Sequence, residues 1–422
     1  MENTQESKQN ASLRDLSSLE KNIISSFSVE DVQDKFACDL VEMAKLHVQF
    51  LKTAHVLGYS ISRPKKESIR RYDELWLPLM ANLNKMNLQS DGGKEPIEFV
   101  PPGDIAWIWH CHRLAPYQYT KYVQRRFGLS PGDMLNAYPP FSLQVDNEEG
   151  NERSQVRDLW YEHYPDEPFF LKEEETGKVD TDDKTSYDSK KVLDGFDIFG
   201  SCERQASFLW QVSGERFNDD EFLLEGVRNY YKFLTLKKSD AGSKQIIVPT
   251  YQIDLMWHTH MLSSMKDYNN DCCNIIGKTL NHDDSLNDRT EGGTLDTAFR
   301  KTKRIWVENF DSAYEVSGGM YRGEPPDAYF SRDWVKCTDN INIPPSTRFL
   351  HLVGKVGASS TGVPDTGDIK WLDPTKGETC TIENKQIPSF ISAREKSAQR
   401  GQNNNPKLQD YVFGEGCKSN TS

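Results

Sequence analysis

The sequence lacks the features of membrane and secreted proteins. Its 422 residues contain no uninterrupted run of about 18 apolar residues, so no segment predicts a transmembrane helix. The first residues are polar and acidic, which is not the pattern of a secretory signal peptide. The eight cysteines are scattered, and in such a chain we expect them to be reduced thiols. We therefore expect a cytoplasmic protein, or a nuclear one, with no membrane partner.

Basic residues and common catalytic motifs are also scarce. Lys and Arg number 51 against 64 Asp and Glu, which gives a net charge of −13. A broad nucleic-acid surface needs clustered basic side chains, so nucleic acid is not an expected partner. The sequence has no phosphate-binding loop, no dinucleotide-binding glycine motif, no hydrolase nucleophile elbow and no Cys-x-x-Cys pair. No motif therefore indicates an enzyme class.

What the sequence does contain is one stretch that occurs twice. Residues 100–114 and 248–262 share Val, Pro, Ile, Trp, His, His and Leu at matching positions. A constant spacing of 148 residues separates the copies, for example His110 from His258. Tryptophan and histidine are scarce residues, so their recurrence in register indicates an internal duplication.

Helices flank both copies in the predicted fold. Apolar residues at three- and four-residue steps predict a helix over 36–51 and a second over 72–83. In the second half, 206–210 predicts a less regular helix, and 223–234 reproduces the spacing of 72–83 step for step. The expected fold is mainly α, with two helical pseudo-repeats and a less regular C-terminal segment that contains a little β structure.

Charge and proline content divide the chain further. The stretch 172–191 is charged and aperiodic. Repeated prolines after residue 320 exclude long helices, although 349–353 and 369–372 predict short strands. The predicted segments are a disordered N-terminus (1–15), a first helical repeat with the Trp-His-Cys-His motif (16–170), a charged linker (171–194), a second helical repeat with the Trp-His-Thr-His motif (195–320), an irregular or small β segment (321–392) and a disordered tail (393–422).

The motif histidines have two interpretations. On a helix, Trp109 and His112 share one apolar stripe, and Trp257 and His260 share another, which predicts that these four residues are structural and buried. The first histidine of each copy lies about 200° further round the helix, so each His-x-His pair diverges and chelates a metal poorly.

The alternative is a metal held by one histidine from each copy. His112 could pair with His260, or His110 with His258, and a third ligand would come from His282, Asp254 or Asp104. The candidate ligands of a zinc-like divalent metal are therefore His110, His112, His258, His260 and His282. No cofactor is firmly implied by the sequence.

Several stretches resemble the glycine-rich domain-containing protein family, which is best known from plants and has relatives in fungi. The matching stretches are 107–116, 159–169, 248–260 and 276–284, and the likeness spans roughly residues 30–320. The resemblance implies a mainly helical domain of unknown biochemical activity, with members linked to growth, hormone and stress responses. Some members are proposed to bind RNA. This chain lacks a glycine-rich tail and an RNA recognition core rich in aromatic residues.

Three functions follow in order of preference. We expect a non-enzymatic interaction or regulatory module that binds a protein partner. The alternative is a metal-dependent hydrolytic enzyme that uses the duplicated histidines. RNA binding is the third interpretation, and it depends on the family resemblance alone.

Overall fold

Helices form most of the protein in the part that the structure describes. A computed structural model describes residues 32–89, 99–129, 135–137, 139–145, 154–171, 192–286, 288–330, 369–373 and 378–382. The predicted N-terminal disorder (1–15), the linker stretch 172–191, the predicted strand at 349–353 and the disordered tail (393–422) lie outside these residues. The predicted fold class, mainly α, is confirmed.

The first half of the described chain carries the first copy of the motif on its fourth helix. Its helices are α1 (Leu40–Val56), α2 (Lys66–Arg70), α3 (Leu77–Gln89), α4 (Gly103–Arg113), α5 (Pro116–Phe127) and α6 (Gln155–His163). A π-helical turn, Arg71–Trp76, joins α2 to α3.

The second half carries the second copy on α11. Its helices are α7 (Ile198–Gln205), α8 (Phe208–Val212), α9 (Asp220–Lys238), α10 (Asp240–Ser243), α11 (Tyr251–Ser263), α12 (Met265–Ile276) and α13 (Thr294–Phe310). Short 3-10 turns lie at Val192–Gly195, Glu215–Asn218 and Asp327–Phe330. Strands β1 (Ile369–Asp373) and β2 (Glu378–Ile382) pair antiparallel, which confirms the predicted strand at 369–372.

Capping residues explain where the motif helices begin. Thr250 precedes α11, and its hydroxyl accepts a hydrogen bond from the backbone N–H of Ile253. Ser264 caps α12 in the same way, by accepting from the backbone N–H of Asp267. After α4, Pro116 occupies the first turn of α5, where its missing N–H costs no hydrogen bond.

The core joins the two halves. α1 packs against both α11 and α9, so the first predicted helix contacts the second copy of the motif. One cluster of buried side chains extends from Val32 to Tyr329. Six tryptophans in it are almost fully buried, and such large side chains supply much of the apolar area that stabilises a fold.

The two motif copies make matching hydrogen bonds. In the first, the indole N–H of Trp109 donates to the Tyr119 hydroxyl over 3.0 Å, and that hydroxyl donates to the Leu135 carbonyl. In the second, Trp257 donates to the Tyr268 hydroxyl over 2.9 Å, which donates to the carbonyl of Leu280. Trp109 and Trp257 are therefore buried core residues with satisfied donors.

The predicted match between the flanking helices is wrong by two helical turns. Apolar spacing aligned Tyr72 with Leu223. In the structure the Tyr72 hydroxyl lies 2.9 Å from His112 Nδ1, and the Tyr230 hydroxyl lies 3.1 Å from His260 Nδ1. Tyr72 therefore corresponds to Tyr230, seven residues after Leu223. An apolar stripe repeats about every seven residues, so its spacing alone does not set this register.

The cysteines follow the expectation only in part. Cys38, Cys111, Cys202 and Cys272 are free thiols, as predicted. Cys273 is disulfide-bonded, so the prediction of reduced thiols is wrong for this residue.

Candidate metal centre

Helix α11 places two candidate ligands on one side. Asp254 lies in its first turn, and His258 follows four residues later, which is one helical turn. The carboxylate oxygen Oδ1 of Asp254 lies 3.4 Å from Nε2 of His258. A polar pair at this spacing can chelate a metal from a single helix, as the two histidines of zinc proteases do.

The chain returns to α11 after α12 and supplies the third candidate. Gly277 adopts a left-handed conformation, with φ of 79°, and ends α12. The Tyr268 hydroxyl then donates a hydrogen bond to the carbonyl of Leu280, in the segment that returns to α11. These contacts place His282 Nε2 at 3.0 Å from His258 Nε2, with the two rings perpendicular.

The three side chains have the composition and spacing of a transition-metal site. Ligand atoms of Asp254, His258 and His282 all lie within 4.8 Å of one another, and no other group of three such side chains does so among the described residues. Zinc bonds of about 2.0–2.1 Å in a tetrahedron separate neighbouring ligand atoms by about 3.3 Å. The observed separations of 3.0 and 3.4 Å bracket that value. Two nitrogens and one oxygen suit zinc and related divalent ions.

A backbone carbonyl sets the tautomer of His282. Its Nδ1 lies 2.7 Å from the carbonyl oxygen of Leu114, which can only accept, so Nδ1 carries the hydrogen. In the neutral ring, Nε2 is then left with a lone pair directed at His258. Metal-binding histidines commonly donate their second ring N–H to a carbonyl in this way.

Asp284 holds the same segment on its other side. Its carboxylate accepts hydrogen bonds from Arg204 and Gln205 on α7. Burial alone would raise the pKa of Asp284, but Arg204 and His282 outweigh it and keep the pKa below its usual value. Asp284 is therefore an ionised support for the loop that carries His282.

Burial shifts the pKa values of two of the candidate ligands, Asp254 and His258. It raises the pKa of the Asp254 carboxyl to about 6. It also lowers the pKa of His258 well below its usual value, and the neighbouring His282 adds to this effect. Metal binding requires a deprotonated carboxylate and neutral imidazoles, so Asp254 above about pH 6 and His258 at neutral pH already have the required form.

His110 lies beside this group but is not one of its members. It interacts electrostatically with His258, and its ring centroid lies 5.2 Å from that of His47. Nε2 of His110, Nε2 of His47 and Nδ1 of His258 are buried without a hydrogen-bond partner among the described residues.

His112 and His260 bind tyrosines instead. Besides its contact with Tyr230, His260 donates from Nε2 to the carboxylate of Asp271 over 3.1 Å. Asp271 also accepts from the backbone N–H of Ala37. The pairing of His112 with His260 therefore does not assemble a three-ligand group in the described residues.

All four motif histidines are buried, including the two expected on the opposite helix face. His110 and His258 are only 1% and 2% exposed. The expectation assumed that each motif helix buries a single stripe. In fact α11 contacts α1, α4, α8, α9 and α12, which together cover it on several sides. The predicted divergence within each pair is confirmed, because His258 faces His282 while His260 faces Tyr230 and Asp271.

Comparisons with known proteins identify the family of a domain that includes two of the three side chains of this centre, Asp254 and His258. The family model described as glycine-rich domain-containing protein-like matches residues 118–266, which include Asp254 and His258. Glycine-rich domain-containing protein 1 of Arabidopsis thaliana is 36% identical over 297 residues, which cover 69% of this chain and 34% of the relative. Glycine-rich domain-containing protein 2 of the same plant is 35% identical over 291 residues, covering 68% of this chain and 35% of the relative. The chain belongs to the glycine-rich domain-containing protein family.

The family match confirms the resemblance noted in the sequence and leaves the biochemical activity open. The chain spans about a third of the length of these two relatives. No solved structure matches the chain. Within the described residues, no helix combines the length and the apolar character that a membrane span requires.

The sequence contained one signal for this centre that spacing arguments overlooked. Asp254 and His258 stand four residues apart on a predicted helix, which is a chelating spacing, although the sequence indicated Asp254 only as one of three alternatives for a third ligand. His282 was among the candidate ligands, and the structure brings it to His258. Nothing in the local sequence indicates that these two side chains meet.

Proposed function

We propose that this member of the glycine-rich domain-containing protein family binds a divalent transition metal of the zinc type through Asp254, His258 and His282. The observation that carries the proposal is the convergence of these three side chains, with ligand atoms 3.0 and 3.4 Å apart around His258 Nε2. The carbonyl of Leu114, which orients His282, supports it.

The first copy of the motif offers an internal comparison. Leu135 and Leu280 accept equivalent hydrogen bonds from Tyr119 and Tyr268, so the residue two positions after each is also equivalent. That residue is Ala137 in the first copy and His282 in the second. Likewise, Ala106 precedes His110 where Asp254 precedes His258. These matched contacts support an internal duplication, and only its second copy carries the full ligand set.

The proposed site has three protein ligands and leaves room for one more. Zinc sites that take part in catalysis have this composition, with water or substrate in the fourth position, whereas structural zinc sites usually have four protein ligands. Such an ion lowers the pKa of bound water and polarises a bound carbonyl or phosphoryl group. The geometry therefore supports the metal-dependent alternative. The interaction module and RNA binding stay predictions, because no described surface argues for either.

Metal titration of the full chain tests the proposal. After chelation, the protein should take up one Zn²⁺ or Co²⁺ per chain, as measured by calorimetry and by the visible absorption of Co²⁺. Asp254→Ala and His282→Ala, which introduce the residue of the first copy, should each abolish stoichiometric binding.

A matched pair of histidine variants supplies the control. His258→Asn should lose the metal, whereas His110→Asn, at the equivalent position of the first copy, should retain it. Equal stoichiometry in the wild type and in His258→Asn would show that the ion binds elsewhere and would refute the proposal.

A further inference from the structure

An arginine stands beside the exposed edge of the proposed metal centre. Nη2 of Arg289 donates to the Tyr251 hydroxyl over 3.0 Å, and its guanidinium carbon lies 4.6 Å from the centroid of the Tyr321 ring. Tyr251 precedes Asp254 by three residues on α11, so the two share one side of the helix. Asp254 and Glu324 both interact electrostatically with this guanidinium.

We propose that the metal centre takes an oxyanion, a carboxylate or a phosphate group, as its fourth ligand, and that Arg289 binds the same anion. This inference rests on the proposed metal site. The anion would bridge the ion, through one oxygen, and the guanidinium, through another. The fourth position of the metal would therefore accept ligands of the oxyanion class.

The donors of Arg289 favour such a ligand. No carboxylate of the described residues lies within 4.0 Å of its nitrogens, and its one hydrogen bond in this part of the chain goes to Tyr251. Guanidinium groups present five N–H donors in a planar fork that matches two oxygens of a carboxylate or phosphate. Stacking against Tyr321 fixes the plane of that fork and leaves its edge available.

The charge of the loaded site also favours an anion. A divalent ion with one carboxylate, Asp254, and two neutral imidazoles carries a net charge of +1. Arg289 adds a second positive charge near the carboxylate ligand. Glu324 offsets part of the charge of Arg289, but a neutral fourth ligand such as water would leave the charge of the metal centre uncompensated, whereas an oxyanion neutralises it.

The exposure of the ligands indicates the side from which the anion enters. The side chain of Asp254 is 18% exposed, whereas His258 is only 2% exposed. Arg289 is itself exposed. The accessible edge of the centre is therefore the edge where Arg289 lies.

The test uses the full chain loaded with Co²⁺, whose visible absorption reports its coordination. Inorganic phosphate and acetate are titrated separately into the loaded protein, and each Kd is read from the change in absorption. At least one of the two should bind, and the comparison between them distinguishes a phosphate ligand from a carboxylate ligand.

The key variant is Arg289→Gln, which should still bind one Co²⁺ but weaken anion binding about tenfold, the loss expected for one charge-assisted hydrogen bond. Arg216→Gln is the matched control, because Arg216 is also exposed and stacks on an aromatic ring, that of Phe222. It should leave the anion Kd unchanged.

The possible failures are distinguishable. If Co²⁺ binds but neither anion changes its spectrum, the inference is wrong and the metal site stands. Equal anion affinity in the wild type and in Arg289→Gln also overturns it, as does equal anion affinity with and without Co²⁺ when both are measured by calorimetry. If no metal binds at all, the proposed function and the inference fall together.

Discussion

His282 donates its Nδ1 hydrogen to the carbonyl oxygen of Leu114 over 2.7 Å. Leu114 follows α4, which carries the first copy of the motif, whereas His282 follows α12 in the second half. The bond leaves Nε2 facing His258 on α11. The orientation of one proposed ligand is therefore set by a contact between the two halves of the chain.

Metal should stabilise the fold through this centre. A ligand that binds only the folded state adds about 2.7 kcal/mol to the free energy of unfolding at a concentration 100 times its Kd. Zn²⁺ should accordingly raise the melting temperature of the metal-free chain by several degrees, and a chelator should reverse the rise. Asp254→Ala should melt at the same temperature with and without Zn²⁺. A Zn²⁺-dependent rise that persists in this variant would contradict the assignment of Asp254 as a ligand.

Removing one partner of a buried ion pair in the first half should lower the free energy of unfolding. Arg71 is fully buried, and Nη1 lies 2.6 Å from a carboxylate oxygen of Asp104. Asp104→Ala leaves this guanidinium without its charge partner, which should cost about 3–5 kcal/mol in the free energy of unfolding. Urea denaturation measures the loss. A cost below about 1 kcal/mol would show that the pair contributes little.

The second half supplies a neutral replacement for this pair. There, Asn229 and Gln252 occupy the equivalent positions, and the Asn229 amide donates to the Gln252 side chain over 3.0 Å. The double variant with Arg71→Asn and Asp104→Gln should recover part of the stability lost by Asp104→Ala. Recovery should be incomplete, because Arg71 also donates to the carbonyl oxygens of Pro168 and Phe169. A double variant less stable than the single one would contradict the equivalence of the two positions.

The hydrogen bonds of His260 predict which of two substitutions costs more in the free energy of unfolding. Tyr230→Phe removes one partner of a buried ring nitrogen and should cost about 1–3 kcal/mol. Asp271→Ala should cost more, because both His260 and the backbone N–H of Ala37 lose their acceptor. Asn270→Ala, at an exposed position of the same helix, is the control and should change stability little. Thermal unfolding of the three variants gives the order, and an inverted order would refute it.

The fold should lose stability in mild acid because of buried neutral histidines. Burial lowers the pKa of both His47 and His112 from the usual 6.5 to about 3. Between these values the unfolded chain binds protons that the folded chain does not. The stabilising contribution is therefore complete above pH 6.5 and is lost progressively as the pH falls towards 3.

Each such histidine contributes up to about 1.4 kcal/mol per pH unit to the slope of stability against pH. His112→Gln should reduce this slope between pH 6 and 4, whereas Asn270→Ala, which removes no titratable group, should not. Urea denaturation at several pH values measures it. An unchanged slope in His112→Gln would mean that this ring is not neutral in the folded state.

Much of the helical framework followed from local patterns. Apolar spacing predicted the helix that contains His47, and it also predicted a helix over 223–234, which lies within α9. The same spacing failed to align Tyr72 with Tyr230, because a shift of two helical turns preserves the apolar stripe. Specific hydrogen bonds between helices set that register, and a local pattern does not encode them.

The sequence indicated only part of the candidate metal centre. The four-residue step from Asp254 to His258 is a property of one helix and stands in the sequence. The expected partners for His258 were the equivalent His110 together with a third ligand. The structure instead places His282 against it, because Gly277 reverses the chain and Leu114 orients the ring.

The sequence by itself determined the helical class, the two motif copies and the family, since each depends on residue types at fixed local spacing. Only the tertiary structure decided which histidines meet. His258 faces Asp254 and His282, whereas His260, two residues later, faces Tyr230 and Asp271. The physical reason is that α11 is buried on several sides, so the environment of each histidine depends on which distant segment packs against it.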